Sequence, residues 1–187
     1  MNILESVMGA SNGVAVQKLA EQFGLPPEKA TAAIGALMPA VAAGLKRNIA
    51  TEADASRLTS ALASGRHENY LDQPELLADT ATTADGNAIL GHIFGDKEVS
   101  RQVATGAAQK TGIDPSILKK MLPLVAAIAM GALAKQTKTA GVGAGSAAAN
   151  KGGIGAMLEP LLDRDRDGSA MDDVAGMIGG IFGRKTR

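Results

Sequence analysis

Two short stretches far apart in the chain follow one plan, and they constrain its fold more than any other feature. Gln22-Phe23-Gly24-Leu25-Pro26-Pro27 and Lys110-Thr111-Gly112-Ile113-Asp114-Pro115 each read as helix end, glycine, buried apolar residue, one further residue, proline and new helix. Glycine takes the left-handed conformation past a helix end at no steric cost, and the apolar residue packs back. Proline at the first helical position gives up an amide that has no partner there. In the second copy Asp114 is placed to cap the new helix, and Ile113 to staple onto Leu118.

Each turn leads into a long apolar stretch with an internal proline, Pro39 or Pro123, followed by Gly44 or Gly131 and by Leu45 or Leu133. Such a proline removes a hydrogen bond and crowds the preceding turn, so each helix is expected to kink or restart. The interval from turn proline to internal proline differs between the copies by about one helical turn. They match in plan and not in detail, and are expected to pack together about a pseudo-two-fold axis.

The remaining chain agrees with an all-α class, because apolar positions recur at helical spacing and strand-like alternation is almost absent. Thr51, Glu52 and Asp54, then Ala55, Leu58 and Leu62, then Gly65 spell a capped helix with a stop signal. Residues 65–85 read as a polar connector in which Pro74-Glu75-Leu76-Leu77 starts a short helix. The most apolar run, 121–134, carries Pro123 and falls short of the roughly 20 residues that span a bilayer, so a buried helix and no membrane span are expected. Aromatic residues are limited to Phe23, Phe94, Phe182 and Tyr70, which leaves a core of small aliphatic side chains and closely packed helices.

These signals give a compact helical bundle of two helix-Gly-x-x-Pro-helix units, followed by an acidic loop and a final helix. The expected boundaries are a helical domain at 1–137, with units at about 1–65 and 86–137, a Gly/Ala/Ser-rich linker at 138–155, and a C-terminal segment at 156–187.

Chemistry is narrowed first by what is missing. The chain has no cysteine, which excludes disulfides, thiolate nucleophiles and zinc-thiolate sites. Its 19 basic and 19 acidic residues cancel, so the overall charge gives no reason for a nucleic-acid or anionic-lipid partner. Met1-Asn2-Ile3-Leu4-Glu5 lacks the pattern of a secretory signal, and the expected location is cytoplasmic.

The sharpest chemical motif is Asp163-Arg164-Asp165-Arg166-Asp167-Gly168-Ser169. Carboxylates at the first, third and fifth loop positions, glycine at the sixth and the Ser169 carbonyl at the seventh form the first half of an EF-hand-type calcium loop. Alternating oxygen donors wrap a hard cation, and calcium's loose shell suits them better than magnesium's. The departure lies at the twelfth position, where Val174 replaces the usual bidentate glutamate and Asp172 and Asp173 are the nearest acids. The plain alternative is a helix cap: Ser169 or Asp167 caps the last helix, and Asp172 and Asp173 sit at its positive end.

That last helix carries Met171, Val174, Met177, Ile178, Ile181 and Phe182, interleaved with glycines, and so offers a face for docking or self-association. The turn at Gly24 also fits a DNA-binding helix-turn-helix. The helix it introduces would offer Pro26, Pro27, Glu28, Thr31 and Ala32 to the bases, with Lys29 the nearest cation, a poor set for phosphates. The second turn, with Lys119 and Lys120, is slightly better. No nucleophile, carboxylate pair or phosphate loop points to an enzyme. His92 reads as a core or rim residue of an apolar helix, and His67 as part of a solvated connector.

Two features together, Ile89-Leu90-Gly91-His92-Ile93-Phe94-Gly95-Asp96-Lys97 with its helix-Gly-Ile-x-Pro continuation through Leu133, and the Asp-rich tail ending Ile181-Phe182-Gly183-Arg184, resemble a bacterial family, domain of unknown function 937, related to the YidB-like proteins. The resemblance implies an all-helical fold with no established activity, and the retention of Asp163, Asp165, Asp167, Asp172 and Asp173 as a set. The expectation is a non-enzymatic interaction or self-assembly module with a calcium-binding loop. A helix-turn-helix nucleic-acid binder and a carrier of a small apolar ligand are the alternatives.

Overall fold

The computed structural model describes residues 13–48 and 67–139. The helix expected at 51–65, the linker from residue 140 onward and the C-terminal segment lie outside the described residues. Helix α1 spans Val14–Phe23, α2 Pro27–Asn48, α3 Asn69–Asp72, α4 Thr80–Phe94, α5 Lys97–Thr111 and α6 Pro115–Thr139, with a 3-10 turn at Pro74–Ala78 between α3 and α4. There is no strand among the described residues, as the all-α reading requires.

Helix α6 is the axis of the fold. Every residue from 121 to 134 is buried, and a helix that is apolar all round must be surrounded. Helices α2, α4 and α5 pack along it, and α3 packs against its later turns. Leu118, Met121, Leu122, Leu124, Ile128 and Leu133 are fully buried, each contributing about 1.5–3 kcal/mol of transfer free energy. At 25 residues α6 is longer than its apolar run. By length and composition it is long enough to cross a membrane, but 83% of its most apolar window is buried inside the fold, as in a core helix.

Both helix-turn-helix junctions have the expected backbone. Gly24 stands at φ 62°, its amide reaching the Glu21 carbonyl at 3.3 Å, while the Leu25 amide reaches the Ala20 carbonyl at 2.9 Å. Gly112 stands at φ 67°, its amide donating to the Ala108 carbonyl at 2.8 Å. A side chain at either φ is strained, which explains the glycines. Asp114 caps α6 by accepting from the Ser116 amide at 2.7 Å, and Ile113 and Leu118 are both buried in the core. Leu25 is only half-buried, so the two turns differ in how firmly they are pinned.

Of the kink or restart expected at the internal prolines, the restart does not occur, since α2 runs continuously through Pro39 and α6 through Pro123. In α6 the carbonyl left without its amide belongs to residue 119, and Lys119 is exposed, so water can replace the lost partner.

Two glycines bring backbones into contact with α6 and its surroundings. A Cβ at Gly86 of α4 would stand 2.0 Å from the Pro123 carbonyl oxygen, and one at Gly131 of α6 would stand 2.5 Å from the carbonyl oxygen of His67. Helix α4 and the segment at 67 thus lie closer to α6 than any side chain allows.

Candidate functional site

The segment expected to be a solvated connector is instead built into the core. Leu71 and Leu77 are fully buried, α3 packs on α6, and the 3-10 turn packs on α1. The short helix expected at Pro74 forms as that 3-10 turn, with proline at its start.

The reading of His67 as a solvated residue is therefore corrected, because it is 8% exposed. Among the described residues Thr82 and Thr137 are the other buried polar side chains, and each donates its hydroxyl to a carbonyl, of Leu76 at 2.6 Å and of Ala134 at 2.8 Å. His67 has a different environment. Its Nδ1 lies 3.3 Å from Oδ2 of Asp85 on α4, and the Tyr70 hydroxyl donates to the same oxygen at 2.7 Å. The His67 and Tyr70 rings are tilted at 55° with centroids 6.0 Å apart. One helical turn beyond Gly131, Lys135 of α6 pairs with Asp72 of α3.

An imidazole and a phenol thus converge on one carboxylate oxygen. Acid–base chemistry there needs a group to act on. No set of three or more His, Cys, Asp or Glu side chains among the described residues is placed to hold a metal ion. The cluster ties α3 to α4 across the flank of α6, as a clasp would. The sequence carried the parts, since His67 and Tyr70 stand three residues apart on a helical turn, but Asp85 joins them only through tertiary packing.

Of the core or rim position expected for His92, the core is ruled out: it lies on the exposed side of α4, while Thr82, Gly86, Leu90 and Ile93 face inward. The exposed residues of α4 are Thr80, Ala81, Ala84, Asn87, Ala88, Gly91 and His92. None carries a fixed charge, whereas the exposed residues of α1, α2, α5 and α6 include Glu21, Lys29, Arg101 and Lys119.

At the first helix-turn-helix, Pro26, Pro27, Glu28, Lys29 and Ala32 are exposed and Thr31 is half-buried. At the second, Ser116, Lys119 and Lys120 are exposed beside Asp114. Hydrogen bonds from the side chain and then the backbone of Ser116 hold the Asp114 carboxyl below its ordinary range. The turn between α4 and α5 repeats the device: Gly95 at φ 71° ends one helix, and Asp96 caps the next by accepting from the Glu98 amide at 2.9 Å. The proposed metal ligands Asp163, Asp165, Asp167, Ser169, Asp172 and Asp173 lie outside the described residues.

The fold and cluster define an all-helical domain wrapped around one buried helix. Residues 5–136 match the profile of the bacterial proteins of unknown function called domain of unknown function 937, and the chain belongs to that family. The match covers more than two thirds of the chain and ends before the acidic tail. Searches of curated proteins and of solved structures gave no match.

Proposed function

We propose that the chain is a non-enzymatic interaction or self-assembly module of the bacterial cytoplasm, with a protein partner and a calcium-binding loop at Asp163, Asp165, Asp167, Ser169, Asp172 and Asp173. The observation that carries the interaction part of this reading is the outer face of α4, where Thr80, Ala81, Ala84, Asn87, Ala88, Gly91 and His92 are exposed over four helical turns without a fixed charge, and the half-buried Asp85 at its edge is paired with His67. Solvent-facing helix surfaces ordinarily carry charge, and a continuous weakly polar face marks a surface that meets another. The His67–Tyr70–Asp85 cluster supports the non-enzymatic part, since its groups are spent on holding α3 against α4.

Calcium added to metal-stripped protein is expected to give saturable heat by isothermal calorimetry, lost in an Asp163→Ala, Asp165→Ala variant, with a change in elution on size exclusion. Absence of binding at millimolar calcium reduces the loop to a helix cap. A nucleic-acid reading draws on the exposed Ser116, Lys119 and Lys120 at the start of α6. Its test is a DNA mobility shift that weakens with salt, and no shift at low salt removes it.

A further inference from the structure

We propose that the chain associates head to tail with further copies of itself, the basic end of α6 in one copy meeting the acidic end in the next. The inference rests on the self-assembly reading above and names the partner, a second copy, on a surface other than the outer face of α4.

The net charge of zero conceals a segregation along the chain. Residues 67–96 carry Glu68, Asp72, Glu75, Asp79, Asp85 and Asp96 without a lysine or arginine, whereas residues 97–139 carry seven lysines and arginines against Glu98 and Asp114. The fold turns this order into distance. Asp72 pairs with Lys135, which fixes the end of α3 beside the last turns of α6, and the acidic stretch continues from there through Glu75 to Asp79. Lys119 and Lys120 stand on the second turn of the same helix, with Lys110 just across the α5–α6 turn. From Lys119 to Lys135 the helix rises about 24 Å at 1.5 Å per residue. That exceeds the screening length of about 8 Å at physiological salt, so the two ends do not neutralise each other within one copy.

The charges at both ends are open to a partner. Glu75, Asp79, Lys110, Lys119 and Lys120 are exposed, and none of them forms an ion pair among the described residues. Lys119 and Lys120 lie toward the positive end of α6, where a cation does nothing for the helix that carries it. Asp114 sits among these lysines, already bonded to the Ser116 amide, and leaves the end basic. A nucleic acid would engage this end alone and be repelled by the other. A second copy satisfies both, because complementary charge steers the encounter and fixes its register. The two ends lie at opposite ends of one axis, so each contact leaves a free end on either side. Such a heterologous contact continues into an open chain of copies.

The full chain, kept in chelator so that calcium plays no part, is followed by sedimentation velocity over a range of concentrations. At low salt its mass is expected to rise with concentration to that of a dimer and beyond. At about 1 M salt, where charge reaches only about 3 Å, the monomer is expected to return. Two charge reversals are then compared, Lys119→Glu with Lys120→Glu, and Glu75→Lys with Asp79→Lys, the Asp79 side chain making no cap bond that the change would remove. Each variant alone is expected to associate about tenfold more weakly than the parent. An equimolar mixture of the two is expected to recover the parent's association, which also shows that both are folded. A parent that stays monomeric at low salt, or a mixture that does, overturns the proposal. So does association that survives high salt and is lost in Ala88→Arg, a result that assigns self-assembly to the outer face of α4 and leaves the interaction reading standing.

Discussion

Replacing Gly86 with alanine adds one methyl group where α4 meets α6, and the structure gives it no room. The new Cβ would lie 2.0 Å from the Pro123 carbonyl oxygen and 2.5 Å from its carbon. Both atoms are main chain inside a buried helix, so neither can turn aside as a side chain would. Restoring an ordinary contact requires α4 to withdraw by about 1 Å, and a gap of that size forfeits a quarter to a half of the dispersion energy at each affected contact. Thr82, Leu90 and Ile93, the inward residues flanking Gly86, bear that loss. Overpacking of this kind costs typically 1–3 kcal/mol, and a backbone obstacle puts it at about 3. Alanine returns about 1 kcal/mol through its helix propensity. The net expectation is a loss of about 2 kcal/mol, or roughly 4–8 °C in melting temperature, measured by urea and thermal unfolding followed by far-ultraviolet circular dichroism. Gly106→Ala in α5 is the matched control, since nothing lies within 4 Å of its Cβ position. It is expected to gain about 0.5–1 kcal/mol. Equal stabilisation of both variants would refute the claim that α4 is set by backbone contact.

Three further outcomes follow from described contacts. Tyr70→Phe removes the hydrogen bond to Asp85 and is expected to cost about 1 kcal/mol, with faster exchange in α3 than in α5; an unchanged urea midpoint counts against the clasp. Asp96→Ala removes the α5 cap and is expected to cost about 1 kcal/mol, and Asp96→Asn, which retains a capping oxygen, is expected to restore most of it. Asp114 is bound more strongly as a carboxylate in the folded chain, so its contribution is present above its ordinary pKa of 3.8 and is lost as the pH falls through its lower folded value. The stability gap between the parent and Asp114→Ala is thus expected to be full at neutral pH and to close on acidification, and a gap that persists in acid contradicts the cap.

The helices were legible where punctuation is local. Gly24 and Gly112 act on their own backbone, and Pro27 and Pro115 on theirs, so residue type alone locates both turns. The burial of residues 121–134 was legible because a helix without a polar face has few places to be. The same grammar at Phe94-Gly95-Asp96-Lys97 marks the α4–α5 turn. What stayed hidden depends on approach between distant segments. Gly86 and Gly131 look like weak points in two helices until their neighbours are known to be Pro123 and His67. His67 is buried and His92 exposed because the polar residues around His67 concealed the buried Leu71, while the buried neighbours of His92, Leu90 and Ile93, belong to the inward side of α4. A kink or a restart was expected from the prolines of α2 and α6 taken alone; neither helix restarts, and both are packed on several sides.

The clasp also gives the protein an optical property. The chain has one tyrosine and no tryptophan, so all its intrinsic ultraviolet emission of consequence comes from Tyr70. That phenol donates its proton to a carboxylate, an arrangement that drains the excited state, and the folded chain should be dim. Release of α3 from α4 would raise the signal, so the emission reports the opening of one joint without any added label.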